Sequence, residues 1–369
     1  MAMKELFGGV YAGKRVLVTG HTGFKGSWLT SWLSMMGARV VGYSLEASTQ
    51  PSHFELLPNN IVSCIGDIND TQRVEELFQQ YKPEIVFHLA AQALVRDSYA
   101  DPITTYETNV MGTLRLYEAC RAHNVQAIVS ITSDKVYENK EWAWGYREND
   151  SLGGHDPYSS SKGCMELLSA SYRASYFSLD AYQKSHNTLL ATCRAGNVIG
   201  GGDWAKDRLI PDAVVAASKS EKTVLRNPLA VRPWQHVLEP LSGYLLVGQK
   251  LLSKEKEFAC TWNFGPNEQE DISVKEALQK MHFFWKKIAY EIESSKNQPH
   301  ETQMLRLDSS KAHKFLQWHP VWSREKGFER TIQWYKNFYE QESVMTYFDL
   351  EEYVMNAKEQ NICWAVCHG

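Results

Sequence analysis

The sequence predicts an α/β fold: a doubly wound parallel sheet with a second, smaller mixed α/β domain. Three observations predict it. Short apolar runs of strand length alternate with amphipathic helical stretches through the first 195 residues. The first of these runs ends in a glycine-spaced turn that opens a helix. The alternation then breaks at Gly200, Gly201 and Gly202, after which helices mix with short strands.

Val16, Leu17 and Val18 form the first apolar run; Gly20, Gly23 and Gly26 follow, and Phe24, Trp28, Leu29, Trp32 and Leu33 recur at helical spacing. Glycines at such a turn let the backbone bend sharply and let a pyrophosphate approach the free N–H groups of the helix N-terminus. An ordinary strand-to-helix turn is the other reading of the same triplet. Further strands are expected at 39–44, 61–65, 85–89, 127–132 and 188–194. A helix over 71–81 presents Val74, Leu77 and Phe78 on one face and is capped by Asp70 or Thr71, and a second covers 102–123. Ligands of such a sheet sit at the carboxyl ends of its strands. Beyond the glycine-rich segment, helices are expected at 211–220, 240–252, 274–285 and 324–339. The expected division is a Rossmann domain over 1–195, rejoined by 234–258, a substrate domain from 196–233 and 259–350, and a tail over 351–369.

Composition excludes several classes. A formal net charge of -4 over 369 residues, with no basic stripe, removes the electrostatic footprint of nucleic-acid binding. No apolar run is long enough to span a bilayer and no basic, apolar leader opens the chain, so no membrane partner and a cytoplasmic location are expected. Seven cysteines lie scattered without metal spacing, which reads as reduced thiols and no metal site.

Two groups of residues carry possible chemistry. Tyr158 and Lys162 lie four apart at the start of a predicted helix, on one face, where a cation can lower the pKa of a phenol and make it a base. Ser133, Asp134 and Lys135 follow the fifth strand, at the sheet edge that faces a bound cofactor. A solvated helix face and a turn bonded to its own backbone are the plain alternatives.

Together with Arg194-Ala195-Gly196-Asn197-Val198-Ile199-Gly200, these motifs resemble the extended short-chain dehydrogenase/reductase family. Thr132-Ser133-Asp134-Lys135-Val136-Tyr137-Glu138-Asn139, the tract from Glu141 to Glu148 with Trp142, Trp144 and Tyr146, and Leu152-Gly153-Gly154-His155-Asp156-Pro157-Tyr158 resemble its branch of CDP-glucose 4,6-dehydratases. The resemblance implies NAD as cofactor, a nucleotide sugar, CDP-glucose, as substrate, and a homo-oligomer, a dimer or dimer of dimers, built on helices 102–123 and 158–184. It implies that Tyr158, helped by Lys162 and Ser133, takes the proton of the sugar 4-hydroxyl, and that Asp134 is the acid for the departing 6-hydroxyl if its surroundings raise its pKa. Lys135 stands where related TDP-glucose and GDP-mannose enzymes carry glutamate. It is either the C5 base or a stabiliser of the enolate.

Cofactor contacts are expected from Gly20, His21, Gly23, Phe24, Lys25, Gly26, Ser44, Asp67, Ile68, Leu89, Ala90, Ala91, Thr108, Tyr158 and Lys162. No acidic residue ends the second strand before Glu46, which leaves the adenosine ribose to Ser44 or other polar groups. His21 and Lys25 either touch the pyrophosphate or face solvent. Asn197, Arg208 and Arg232, with Arg226 as a weaker candidate, are expected at the diphosphate of the sugar nucleotide, because the planar guanidinium suits phosphate oxygens. The aromatic tract either covers the site or anchors its loop. A UDP-, TDP- or GDP-sugar dehydratase, a 4-epimerase, and a non-catalytic dinucleotide-binding regulator are the competing readings.

Overall fold

The computed structural model describes residues 3–58, 60–225, 227–266, 272–293 and 305–366. Seven parallel strands form the central sheet in the order Thr261–Phe264, Leu189–Ala195, Ala127–Ile131, Ile85–His88, Arg15–Thr19, Arg39–Ser44 and Val62–Ile65. The inner strands are apolar on both faces because helices cover both, as a doubly wound sheet requires. One core packs Trp28, Leu29 and Trp32 of helix Phe24–Met35 and Leu241, Tyr244 and Leu245 of helix Leu238–Leu252 against the sheet. The other holds Val74, Leu77 and Phe78 of helix Thr71–Tyr81, which Asp70 caps by accepting the N–H of Arg73 at 3.0 Å.

Four expectations change. The return of the chain to the sheet runs past 234–258, because Thr261–Phe264 pairs with Leu189–Ala195 as the outermost strand and buries Trp262 and Phe264. The helix expected over 102–123 contains a π turn at Glu107–Met111, between Pro102–Tyr106 and Gly112–Ala122. The helix expected to reach 184 is Pro157–Ala174; Ser175 leaves helical geometry and Phe177 tucks back into the core. Residues beyond 350 are not a separate tail: helix Thr346–Glu359 buries Leu350, Tyr353 and Val354, and Trp364 packs on Trp32 and stacks on Phe7.

Short strands complete the second region. Lys222–Leu225 runs parallel to Ala289–Ile292, Val231–Arg232 antiparallel to Ile272–Ser273, and Val198–Ile199 parallel to Gln235–His236. The six described cysteines carry free thiols; Arg226 and Cys367 lie outside the described residues. Among the described residues no helix is long and apolar enough to cross a membrane, and no group of three His, Cys, Asp or Glu is placed to hold a metal ion.

Candidate active site

The glycine turn crosses the next strand closely. Gly20 adopts φ +75°, and a Cβ there would lie 2.8 Å from the backbone nitrogen of Ala90; one at Gly26 would overlap the carbonyl of Gly20. Only glycine fits at either place. Gly23 caps helix Phe24–Met35 with no side-chain bond, so the first N–H groups of that helix are left for an anion. Leu89, Ala90 and Ala91 pass beside this turn, where Thr19 Oγ1 accepts the Ala90 N–H at 3.2 Å. This small-residue cradle fits a dinucleotide pyrophosphate.

At the end of strand Ala127–Ile131, Ser133 opens the short turn Asp134–Val136. Its hydroxyl accepts the Lys135 N–H at 3.2 Å and donates to Asp134 Oδ1 at 3.0 Å. Burial pushes the Asp134 carboxyl up, against the opposing pull of Lys135, the Ser133 hydrogen bond and Lys25. That is the condition a carboxylic acid donor must meet near neutral pH. Tyr158 stands in the first turn of helix Pro157–Ala174, which Asp156 caps by accepting the Ser159 N–H at 2.9 Å.

The lysine–phenol relation differs from the one the spacing suggests. Burial pushes the Tyr158 phenol up, and the groups that oppose it are the Ser133 hydrogen bond and the Arg208 cation. Lys162 is only 3% exposed, donates to the carbonyl of Ile131 at 3.2 Å, and is itself pushed down to about 7 by burial and then by Lys25. Desolvation outweighs the neighbouring charge. Lys25 reaches inward, 5.9 Å from the centre of the Tyr244 ring; burial pushes it down to about 8, with Asp134 opposing. Arg208 joins this cluster, held by Asp203 at 2.8 Å and sensed electrostatically by Tyr158.

The proton balance has a measurable consequence. In the cofactor-free chain Lys162 sheds its proton near pH 7, whereas in the unfolded chain it holds it up to about 10.5. Between those limits the unfolded state binds the extra proton, so this side chain's contribution to stability rises with pH and its penalty is greatest below pH 7. Lys162→Met is therefore expected to exceed the parent in stability most near pH 7, and to lose roughly 1.4 kcal/mol of that margin per pH unit toward pH 9. Urea denaturation across that range measures it.

A family model for GDP-mannose 4,6 dehydratase matches residues 17–331. The chain belongs to this family. It is 51% identical to the CDP-glucose 4,6-dehydratase of Salmonella typhimurium, over 88% of this chain and 91% of that one. It is 26% identical to a dTDP-glucose 4,6-dehydratase of Xanthomonas campestris, over 86% and 92%. Among solved structures, the UDP-glucose 4-epimerase of Thermus thermophilus in complex with NAD matches with a TM-score of 0.74 and 25% identity, covering 87% of this chain and 99% of that one.

Against this dehydratase-family frame, two expected cofactor contacts are turned inward. His21 is fully buried, with Nε2 2.8 Å from Ser63 Oγ and its ring edge-on to Phe54; burial pushes it down to about 4. The Ser44 hydroxyl bonds to Thr22 Oγ1 at 2.8 Å and to the Leu45 carbonyl, so the side chain expected at the ribose is engaged within the protein. His21 turns inward because glycine at position 42 leaves room for its ring on the second strand. Asp67 is exposed, while the Ile68 side chain packs in the core against Gly112. Thr108 lies in the π turn and is half-buried. Asn197 lies at the mouth of the sixth sheet strand, its carbonyl accepting the Gln235 N–H at 3.2 Å. Arg232 donates to the Val231 carbonyl at 2.9 Å, on its own short strand. In the aromatic tract, Tyr146 is buried and stacks on Tyr137, Trp142 packs on Tyr146, and Trp144 at the tip stays 62% exposed, so the first two anchor the loop.

Two supporting residues escaped the sequence reading. Asn109, aimed by the π turn, accepts the Gln92 N–H at 2.9 Å and donates to the Gln92 carbonyl and to Ser161 Oγ at 2.8 Å, tying the loop after strand Ile85–His88 to the Tyr158 helix. An asparagine inside a helical stretch was the available signal. Glu166, on the same helix, accepts from Arg194 Nε and Thr192 Oγ1, both at 2.9 Å, and from Thr132 Oγ1 at 2.5 Å.

Proposed function

We propose that this protein is an NAD-dependent nucleotide-sugar 4,6-dehydratase that converts CDP-glucose to CDP-4-keto-6-deoxyglucose and water. The observation that carries the reading is the convergence of Ser133, Asp134 and Tyr158 beside a glycine cradle, in a chain 51% identical to a protein named for this reaction. Gly20, Gly23 and Gly26, with Leu89, Ala90 and Ala91, would hold the dinucleotide, with Lys162 beside its ribose. When bound, the nicotinamide would supply reversible hydride transfer between C4 and C6 of the sugar.

The chain's own residues handle the protons. Tyr158 takes the proton of the 4-hydroxyl as the C4–H bond breaks, with the Ser133 hydroxyl turning from Asp134 to hold the phenolate by a hydrogen bond and Arg208 holding it by charge. The resulting 4-ketone acidifies the C5 proton. Lys135, next to Asp134 on the same turn, acts as the C5 base or as the counter-charge to the enolate, and a proton returns to C5 when hydride enters C6. Asp134, its carboxyl pushed up by burial, donates to the 6-hydroxyl, which leaves as water.

Asp134→Asn is expected to keep hydride abstraction and to lose elimination. The absorbance of reduced nicotinamide should build up on the protein while 4-keto-6-deoxy product falls roughly a hundredfold or more. Incubation with CDP-, TDP- and UDP-glucose and GDP-mannose tests the substrate. CDP-glucose is expected to give by far the highest kcat/KM, and preference for another base would overturn the assignment.

The helices Pro102–Tyr106 and Pro157–Ala174 pack on each other and leave Ile103 and Leu167 exposed, which supports association of two copies through these helices. Sedimentation equilibrium reads the mass directly. The reading includes a cytoplasmic enzyme supplying deoxysugar synthesis.

A further inference from the structure

One buried histidine joins the phosphate-side helix, the second glycine-rich loop and the C-terminal helices. His53 starts the short helix His53–Leu56, with its ring 5.2 Å from that of Trp28 and 5.6 Å from that of Trp334. Its Nδ1 lies 2.7 Å from Ser27 Oγ and its Nε2 2.7 Å from Thr346 Oγ1. Trp334 Nε1 donates to the same threonine oxygen at 3.0 Å, and the Ser27 hydroxyl donates to the Phe24 carbonyl at 2.9 Å. Burial pushes the imidazole down to about 3, so the ring is neutral and carries one N–H.

One assignment gives every donor an acceptor. Trp334 Nε1–H points to Thr346, the Thr346 hydroxyl to His53 Nε2, His53 Nδ1–H to Ser27, and the Ser27 hydroxyl to Phe24. The hydrogen bonds therefore run one way, from the C-terminal helices to the first residue of helix Phe24–Met35. The glycine-rich loop closes over the same junction. A Cβ at Gly202, where φ is +86°, would overlap the His53 ring and one at Gly201 the Trp334 ring, while Trp28 Nε1 donates to the Gly201 carbonyl at 3.0 Å. Trp334 and Thr346 lie beyond residue 331, where the family model stops matching.

We infer that His53 and Thr346 are positioning residues for dinucleotide binding, through which helix Thr346–Glu359 keeps the N-terminus of helix Phe24–Met35 aimed at the pyrophosphate. The inference rests on the dinucleotide reading above. The N–H groups of that first turn bind phosphate only while their direction is held, and neither positioning residue need touch the ligand.

Titration calorimetry of the full chain with NAD tests it. Thr346→Val keeps the shape, removes the hydroxyl, and leaves the His53 and Trp334 ring nitrogens without that partner; the NAD Kd is expected to rise roughly tenfold. Thr346→Ser restores the hydroxyl and should return Kd to within about twofold of the parent. Ser27→Ala breaks the same chain at its other end, and the double variant Ser27→Ala with Thr346→Val should bind no more weakly than the weaker single variant. A parental Kd in Thr346→Val, additive losses in the double variant, or no rescue by serine would overturn the inference. Should Thr346→Val not fold, Ser27→Ala decides alone: a parental Kd there overturns it. Absence of NAD binding by the parent would instead overturn the dinucleotide reading.

Discussion

Tyr158→Phe is expected to lower kcat by roughly a hundredfold to ten-thousandfold, the range that general acid–base catalysis supplies. The loss should appear in kcat and not in KM, because the substituted ring keeps the half-buried shape beside Ser133 while losing the atom proposed to take the 4-hydroxyl proton. The step that fails is the first one, so no reduced nicotinamide should build up, in contrast to Asp134→Asn. Stopped-flow absorbance after mixing with CDP-glucose separates the two variants. A Tyr158→Phe protein within about tenfold of parental kcat would remove this phenol from the proton path.

The second large effect is on stability. Glu166→Gln should destabilise the fold by about 3 to 5 kcal/mol, the cost of breaking a buried ion pair from one side. Arg194 and Glu166 have side chains only 3% and 1% exposed. Burial pushes the Glu166 carboxyl up, but Arg194 and the Thr132 hydroxyl overcome this and hold it below its usual range. The charge is therefore kept in the core and tethers the Tyr158 helix to strand Leu189–Ala195. Arg194 Nη1 also donates to Tyr137 Oη at 2.6 Å, so the same cation steadies the chain just after the Asp134–Val136 turn. Urea denaturation should show a lower midpoint at an unchanged slope. The double variant Glu166→Met with Arg194→Met should be more stable than Glu166→Gln, since it leaves no unpaired charge. A loss below about 1 kcal/mol in Glu166→Gln would mean that water reaches the pair.

What was legible in the sequence was what local chain geometry dictates. Gly20, Gly23 and Gly26 mark the crossing of two backbones, and Tyr158 with Lys162 needs only the helical repeat. Asp70 caps the helix it precedes. What was not legible depends on partners distant in sequence. His21 turns inward because of space on a neighbouring strand, which no property of its own segment announces. The Tyr158 phenol rises and Lys162 falls because burial is a tertiary quantity, larger here than the pairwise charge that spacing suggests. Thr261–Phe264 was placed with the substrate domain because a four-residue strand carries too little pattern to name its partner. The helix Thr346–Glu359 was missed because its buried side chains find their cover on Trp32 and Trp322, far back in the chain.

In the proposed reaction the hydrogen at C4 of the sugar moves to C6. CDP-glucose carrying deuterium at C4 tests it most directly, with the product read by mass spectrometry and proton resonance. The expected product is the 4-keto-6-deoxy sugar with the deuterium at C6. Deuterium retained at C4, or lost to water, would contradict it.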